Sequence, residues 1–237
     1  TLLENINVYG ADGINEFIYE SEDGVLFYNN QQTLAKDLWF YPMGRTDSMY
    51  VLPDGVVNIP TGGFYQSKFQ EVVIPSSVAY IQIDAFYDTK SLNTVTFAEN
   101  RPGTVVRALD IRPGAFERAV NLNSVVLPSR YDNFNRMIFY KNSKLTSVSV
   151  NPGGKYGSTK DGMLYENTKS GRVLVYCPES RNDANLRISN EVTIIGTHAF
   201  SGCKITGITI PNSISEIQKS AFGGYTTKLT ENGSDIV

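Results

Sequence analysis

At 237 residues, with 41% apolar and 19% charged side chains, the chain can bury a substantial core and is neither a disordered tract nor a coiled coil. A formal net charge of −3 argues against a dedicated nucleic-acid or anionic-membrane binder, and no apolar run approaches the roughly 20 residues of a membrane-spanning helix. Two cysteines exclude a disulfide scaffold and a four-cysteine zinc site, whereas 14 Tyr, 12 Phe, 20 Gly and 10 Pro suit short strands joined by tight turns.

In chain order, the first strand is predicted to end at Val8. The opening at Thr1, with no Met and no signal-like apolar stretch before it, is expected to follow either removal of a targeting segment or a fragment boundary. Residues 9–42 form an insert: Asp23-Gly24-Val25-Leu26-Phe27 reads as a turn and strand, and Leu38-Trp39-Phe40-Tyr41-Pro42 as its return, a β-hairpin. A regular pattern then takes over. From Ile74, apolar residues fall 4, 7, 11, 12, 18, 21 and 23 positions on: Val78, Ile81, Ala85, Phe86, Leu92, Val95 and Phe97. Counting from Leu127 by the same offsets gives Tyr131, Phe134, Ile138, Phe139, Leu145, Val148 and Val150; windows from Leu52, Ile188 and Ile210 match over their first half. Unit ends at residues 8, 52, 74, 97, 127, 150, 188 and 210 are spaced by 44, 22, 23, 30, 23, 38 and 22, so the period is 22 to 23 and the longer steps carry inserts. Residues 98–110 form a loop insert. Residues 151–178 form a second hairpin, with Asp161-Gly162-Met163-Leu164-Tyr165 and Leu174-Val175-Tyr176-Cys177-Pro178 as its two halves. Gly223–Val237, with Leu229, starts another turn without a complete strand and is expected to be a cap or a frayed tail.

A unit this short cannot bury its own apolar face, but stacked units share one core. The Leu-x-x-Val-x-Phe end predicts a strand of a parallel sheet; eight of them about 4.8 Å apart would span roughly 34 Å. Proline after the strand (Pro53, Pro75, Pro128, Pro211) stops the ladder. The Val-x-x-Ile half predicts a second, shorter strand, and Ala-Phe a single helical or 3₁₀ turn. Phe64, Phe86, Phe116, Phe139, Phe200 and Phe222 are expected to stand in one stacked row. The predicted fold class is thus a mainly β (α+β) repeat solenoid: a curved right-handed coil with a parallel sheet on one face, short strands and single helical turns on the other, and inserted β-hairpins, in a single domain over residues 1–237. A β-sandwich would not need the regular Ala-Phe turn.

The string Ile-Pro-x-x-Val-x-x-Ile-x-x-x-Ala-Phe…Leu-x-x-Val-x-Ile resembles the BspA-type leucine-rich repeat over residues 2 to 229, as do the Asp-Gly-x-Leu-Tyr…Tyr-x-Pro inserts and Tyr41-Pro42-Met43-Gly44-Arg45-Thr46-Asp47. Gly63 before Phe64, Ile138 before Phe139 and the displaced Ile205 depart from that pattern. The resemblance implies a curved solenoid of secreted or surface-anchored proteins of anaerobic, host-associated bacteria that bind host or microbial partners. It implies no catalytic residues.

Nothing in the chain assembles a catalytic constellation, so no catalytic residue, metal ligand or cofactor is expected. His198 is the one histidine and occupies a variable repeat position, like Asp84; a triad or metal site needs converging partners. Cys203 follows the Ala-Phe turn and Cys177 lies on the hairpin return; pairing between them is left open. Pro152-Gly153-Gly154-Lys155 lacks the spacing and the Ser or Thr of a phosphate loop and reads as a turn. Asn232-Gly233-Ser234 reads as tail.

Candidate binding residues lie on two surfaces. The outward positions of the long sheet are mostly small, neutral and hydroxyl-rich, including Thr94, Thr96, Ser147 and Ser149, with Glu71 and Arg187 as the charged exceptions. Such a ladder is either ordinary β-propensity on a solvated face or a recognition surface. The inserts concentrate aromatics: Phe17, Tyr19, Phe27, Tyr28, Trp39, Phe40 and Tyr41 in the first, Tyr156, Tyr165 and Tyr176 in the second. Rings give contact area at low entropy cost or pack the hairpin onto the solenoid. The expected function is a non-catalytic secreted or cell-surface adhesion module for a protein or glycan, with no nucleic-acid partner; the alternative is a structural spacer within a larger surface protein.

Overall fold

The computed structural model describes residues 2–8, 19–30, 33–99 and 107–223. Phe17, the middle of the loop insert, Leu229 and the Asn232 tail lie outside them.

Each rung contributes an alternating strand whose inward side chains are buried: Val72 and Ile74, Val95 and Phe97, Val125 and Leu127, Val148 and Val150. The strands pair in parallel at a shift of one rung, as in Val72↔Val95 and Val125↔Val148. The expected continuous sheet is instead three: Met49–Val51, Glu71–Ile74 and Thr94–Phe97; Ser124–Leu127 with Ser147–Val150; and Leu186–Arg187 with Ile208–Thr209. The breaks fall at the long rungs. The first sits at the loop insert and the second at the second hairpin, because inserted backbone shifts the following strand out of ladder register. Residues 2–8 form no strand, so Val8 ends none; the Val8 amide is instead held by the Ser21 hydroxyl at 2.9 Å.

The second, shorter strands build the larger sheet. Val56–Ile59, Tyr80–Ile81, Leu109–Ile111 and Tyr131–Asn133 run in parallel succession. The first insert joins their edge through Ala35–Phe40. That insert is a three-stranded meander, Tyr19–Glu22, Val25–Asn30 and Ala35–Phe40, and the second is Tyr156–Ser158, Leu164–Thr168 and Gly171–Tyr176. A two-stranded hairpin was the sequence expectation. The extra strands, YESE and YGS, carry no apolar alternation by which to be recognised. Asp23 and Gly24, both left-handed at φ +50° and +73°, make the tight first turn.

Among the described residues the turn between the short strand and the buried Phe is a regular 3₁₀ helix in one rung only, Arg136–Phe139. The other rungs place a left-handed residue before the Ala-Phe pair: Asp84, Gly114, His198 and Ser220, at φ +55° to +74°. Met137 stands at that position in the exceptional rung and stays right-handed, so the turn winds on under an Asn135 cap.

Phe64, Phe86, Phe116 and Phe139 stack in file, with ring centroids 4.9, 4.7 and 5.8 Å apart. Phe200 and Phe222 stack at 5.1 Å. The row of six is therefore interrupted between Phe139 and Phe200, where the second meander enters and Tyr176 meets Phe139 at 6.5 Å. This meander partitions the core. Leu164, Tyr156 and Tyr176 join the larger cluster, whereas Met163, Tyr165, Leu174 and Cys177 join a smaller one with Phe200.

Candidate binding surfaces

Each meander is tied to the solenoid by an arginine clamp. Arg45 Nε donates to Asp47 Oδ2 at 2.6 Å, and its Nη atoms reach the carbonyl and the carboxylate of Asp23 at the meander turn. Arg181 repeats this with Asp183 (2.8 Å) and with the carbonyl (2.8 Å) and carboxylate (3.1 Å) of Asp161. In sequence the device is Pro-x-x-Arg-x-Asp facing an earlier Asp-Gly. Hydrogen bonds from Arg45 and Arg181 hold the Asp47 and Asp183 carboxyls below the usual aspartate value of 3.8. Stability from a depressed carboxyl is complete above the unfolded value and is lost as pH falls through the folded one. The clamps are therefore expected to weaken below about pH 4, and a series of melting curves from pH 7 to pH 2.5 checks this. Asp37 and Asp84, raised by burial, act with the opposite sign and oppose that trend.

The first meander carries an aromatic triangle. Tyr19, Tyr28 and Trp39 lie 5.4 to 5.5 Å apart centroid to centroid; Trp39 is 50% and Phe40 38% exposed, and Tyr28 is half-buried. The second meander gives these positions a different environment. By strand register Tyr156 corresponds to Tyr19 and Tyr176 to Phe40, and both are buried against the preceding rung through Tyr131, Phe134 and Phe139. Five of the sequence candidates thus belong to the core, Phe27 and Tyr176 among them. Tyr41 packs on Tyr50, Phe64 and Phe69 with its hydroxyl on Asp47 (2.8 Å), and Tyr156 and Tyr165 fill the two core clusters. Their burial leaves no free ring face.

On the outer sheet face Thr94, Thr96 and Arg187 are exposed, whereas Ser147 and Ser149 are half-buried. Ser147 is covered because Gly162 of the second meander closes over it, its carbonyl accepting the Val148 amide at 2.9 Å; a Cβ on Gly162 would collide with Ser147. The break between Thr94–Phe97 and Ser124–Leu127 forms a groove of about 560 Å³. Asn93, Thr94, Thr96, Asn123, Ser124 and Val126 line it. The Thr94 and Ser124 hydroxyls lean on the side-chain oxygens of Asn93 and Asn123, at 2.9 and 3.1 Å. Both amide groups face solvent from exposed residues. The asparagines escaped the sequence reading because they precede the strands rather than stand at its outward positions; their recurrence at one place in consecutive rungs was the available signal.

Among the described residues no group of three or more His, Cys, Asp or Glu could hold a metal ion, and no helix is long and apolar enough to cross a membrane. Cys177 and Cys203 are free thiols; Cys203 Sγ donates to the Cys177 carbonyl at 3.1 Å. The hydrogen bond with Cys203, and then burial, push the Cys177 thiol up, which keeps it a poor nucleophile.

No curated protein matches the chain in sequence. Among solved structures it is similar to the pneumococcal vaccine antigen PcpA, at 20% identity and a TM-score of 0.50, over 79% of this chain and 54% of that one. It is likewise similar to a leucine-rich repeat protein of Eubacterium ventriosum, at 18% identity and a TM-score of 0.50, over 84% and 60% of the two chains. The chain thus spans little more than half of these proteins, and the likeness is one of fold. The sequence profile of the BspA type leucine rich repeat region matches in 6 copies over residues 57–170 and 176–232, more than half of the chain. With the 22-residue rung, the parallel ladders and the stacked phenylalanines, that match places the chain in the BspA-type leucine-rich repeat family.

Proposed function

We propose that the protein is a non-catalytic binding module, secreted or displayed at the cell surface as the family implies, which grips a protein or glycan partner on the side of the long sheet. The groove between Thr94–Phe97 and Ser124–Leu127 carries this reading: it is uncharged, lined with amides and hydroxyls, and set on rigid strands. Such groups match sugar hydroxyls or a peptide backbone and give specificity without a charged stripe. The test is an array of host and bacterial glycans and extracellular proteins, probed with the natural chain and with Asn93→Ala/Asn123→Ala. Loss of about tenfold or more in affinity for a captured partner is expected of the variant. An empty array, or a partner held equally by both proteins, would defeat the proposal.

The spacer reading is favoured by the triangle of Tyr19, Tyr28 and Trp39, since the matching face of the second meander is a stacking surface between rungs. Trp39 is the only tryptophan. Its fluorescence should be readily quenched by acrylamide if the face is free, and shielded if a further rung covers it. Trp39→Ala is expected to cost about 1–2 kcal/mol, well below a fully buried ring, because half of the side chain is already in water; urea unfolding measures it.

A further inference from the structure

The two clamps line two clefts with the same eight positions, and this internal duplication allows one cleft to serve as a control for the other. Glu22, Asp23, Arg45, Asp47, Met49, Tyr50, Val51 and Pro53 surround the first, of about 180 Å³. Lys160, Asp161, Arg181, Asp183, Asn185, Leu186, Arg187 and Ser189 surround the second, of about 570 Å³. The clamp residues are common to both. The lip is not: Glu22 becomes Lys160, Met49 becomes Asn185 and Val51 becomes Arg187. The formal charge of the lining moves from −2 to +1 on a chain whose total is −3.

Glu22 in the first cleft is engaged by Lys36 at 2.8 Å. In the second, the Arg181 charge is spent on Asp161 and Asp183, but Lys160 and Arg187 are exposed and pair with no described residue. Two unspent cations thus face one cleft beside the free amide of Asn185. The Ser189 hydroxyl is already turned to Glu191 at 3.1 Å. We propose that this second cleft binds a carboxylate-bearing saccharide, of the uronic or sialic acid type. A guanidinium and an ammonium take the carboxylate, the amide of Asn185 takes ring hydroxyls, and the volume is that of one or two sugar rings. An acidic peptide fits less well, because its successive carboxylates would meet Asp161 and Asp183 with only two uncommitted cations in the lining. The site is separate from the Asn93–Asn123 groove, so the groove and the cleft stand or fall independently.

The experiment is a titration of the whole chain with glucuronate and with N-acetylneuraminate, followed by backbone amide shifts of residues 160–162 and 185–189. Glucose is the neutral control, a hexaglutamate peptide the acidic one, and residues 49–53 report on the first cleft. Saturable shifts confined to the second cleft are expected, at least about tenfold tighter for a sugar acid than for glucose and weakened by added salt. Lys160→Glu/Arg187→Val copies the lip of the first cleft, which the fold already accommodates, and should abolish the shifts. Arg187→Lys, which keeps the charge but not the fork, should retain part of the affinity. The proposal is overturned by equal binding of glucose, by the hexaglutamate binding as tightly as the sugar acids, by shifts that survive in the double variant, or by no saturation with any sugar acid.

Discussion

Replacing Phe86 by alanine should cost about 3–5 kcal/mol of stability, the largest single effect expected in this chain. Phe86 is wholly buried between Phe64 at 4.9 Å and Phe116 at 4.7 Å, with both rings nearly parallel to its own. The loss has two parts, the transfer of a phenyl ring to water and the cavity left between two rungs that cannot close without breaking the ladders on either side. For a chain of this size the melting temperature should fall by about 6–20 °C. Because each rung contacts only its neighbours, the damage is also local. Amide exchange should accelerate most in the rungs of Phe64, Phe86 and Phe116 and least around Phe200. Phe222→Ala is the internal comparison: that ring is 46% exposed and stacks on one partner, so roughly 1 kcal/mol is expected. Equal losses in the two variants would show that the file is not what supports the core.

Arg181→Ala should cost about 2–3 kcal/mol, the second largest effect. The Arg181 side chain is 10% exposed and serves the Asp161 carbonyl and two carboxylates. The carboxylates are themselves 38–40% exposed and recover water when the arginine is removed, which keeps the loss below that of a fully buried pair. The turn at Asp161-Gly162 would then be released from the solenoid. The Val148–Gly162 hydrogen bond should therefore exchange faster while the Phe64–Phe116 rungs stay protected. Arg181→Lys should rescue little, since an ammonium cannot reproduce the fork. Arg45→Ala is expected to act in the same way on the first meander. Urea unfolding of the three variants, compared with the natural chain at pH 7, measures these differences.

The regular rungs were legible because the period of 22 to 23 states three things at once. Alternation fixes the strand, Pro fixes its end, and Ala-Phe fixes the buried ring. The phenylalanines at 64, 86, 116 and 139 could be placed in file from spacing alone, because a repeated position on a stacked rung is a repeated position in the core. The interruption after Phe139 was not legible, since it depends on whether the second meander lies beside the core or within it. A strand such as Gly171–Tyr176 that is buried on alternate faces by two separate clusters looks, in sequence, like a solvated hairpin with aromatics to spare. Sequence alone therefore left Tyr156 and Tyr165, like Tyr41, open between a binding face and packing, and the fold assigns all three to packing. The clamps were half visible: Asp-Gly and Arg-x-Asp recur, but only the fold shows that residues 20 or 22 positions apart meet. The groove was missed because it arises from a break between strands, and a gap has no residue of its own.

The stacked-rung architecture makes one prediction that no other arrangement of these strands shares. In a spectrum of the chain with labelled phenylalanine rings, Phe86 should show strong ring-to-ring Overhauser contacts to Phe64, 22 residues before it, and to Phe116, 30 residues after it. Phe64 and Phe116 should show none to each other. Contacts from Phe86 to only one of these rings, or a direct contact between Phe64 and Phe116, would contradict the solenoid and the surfaces built on it.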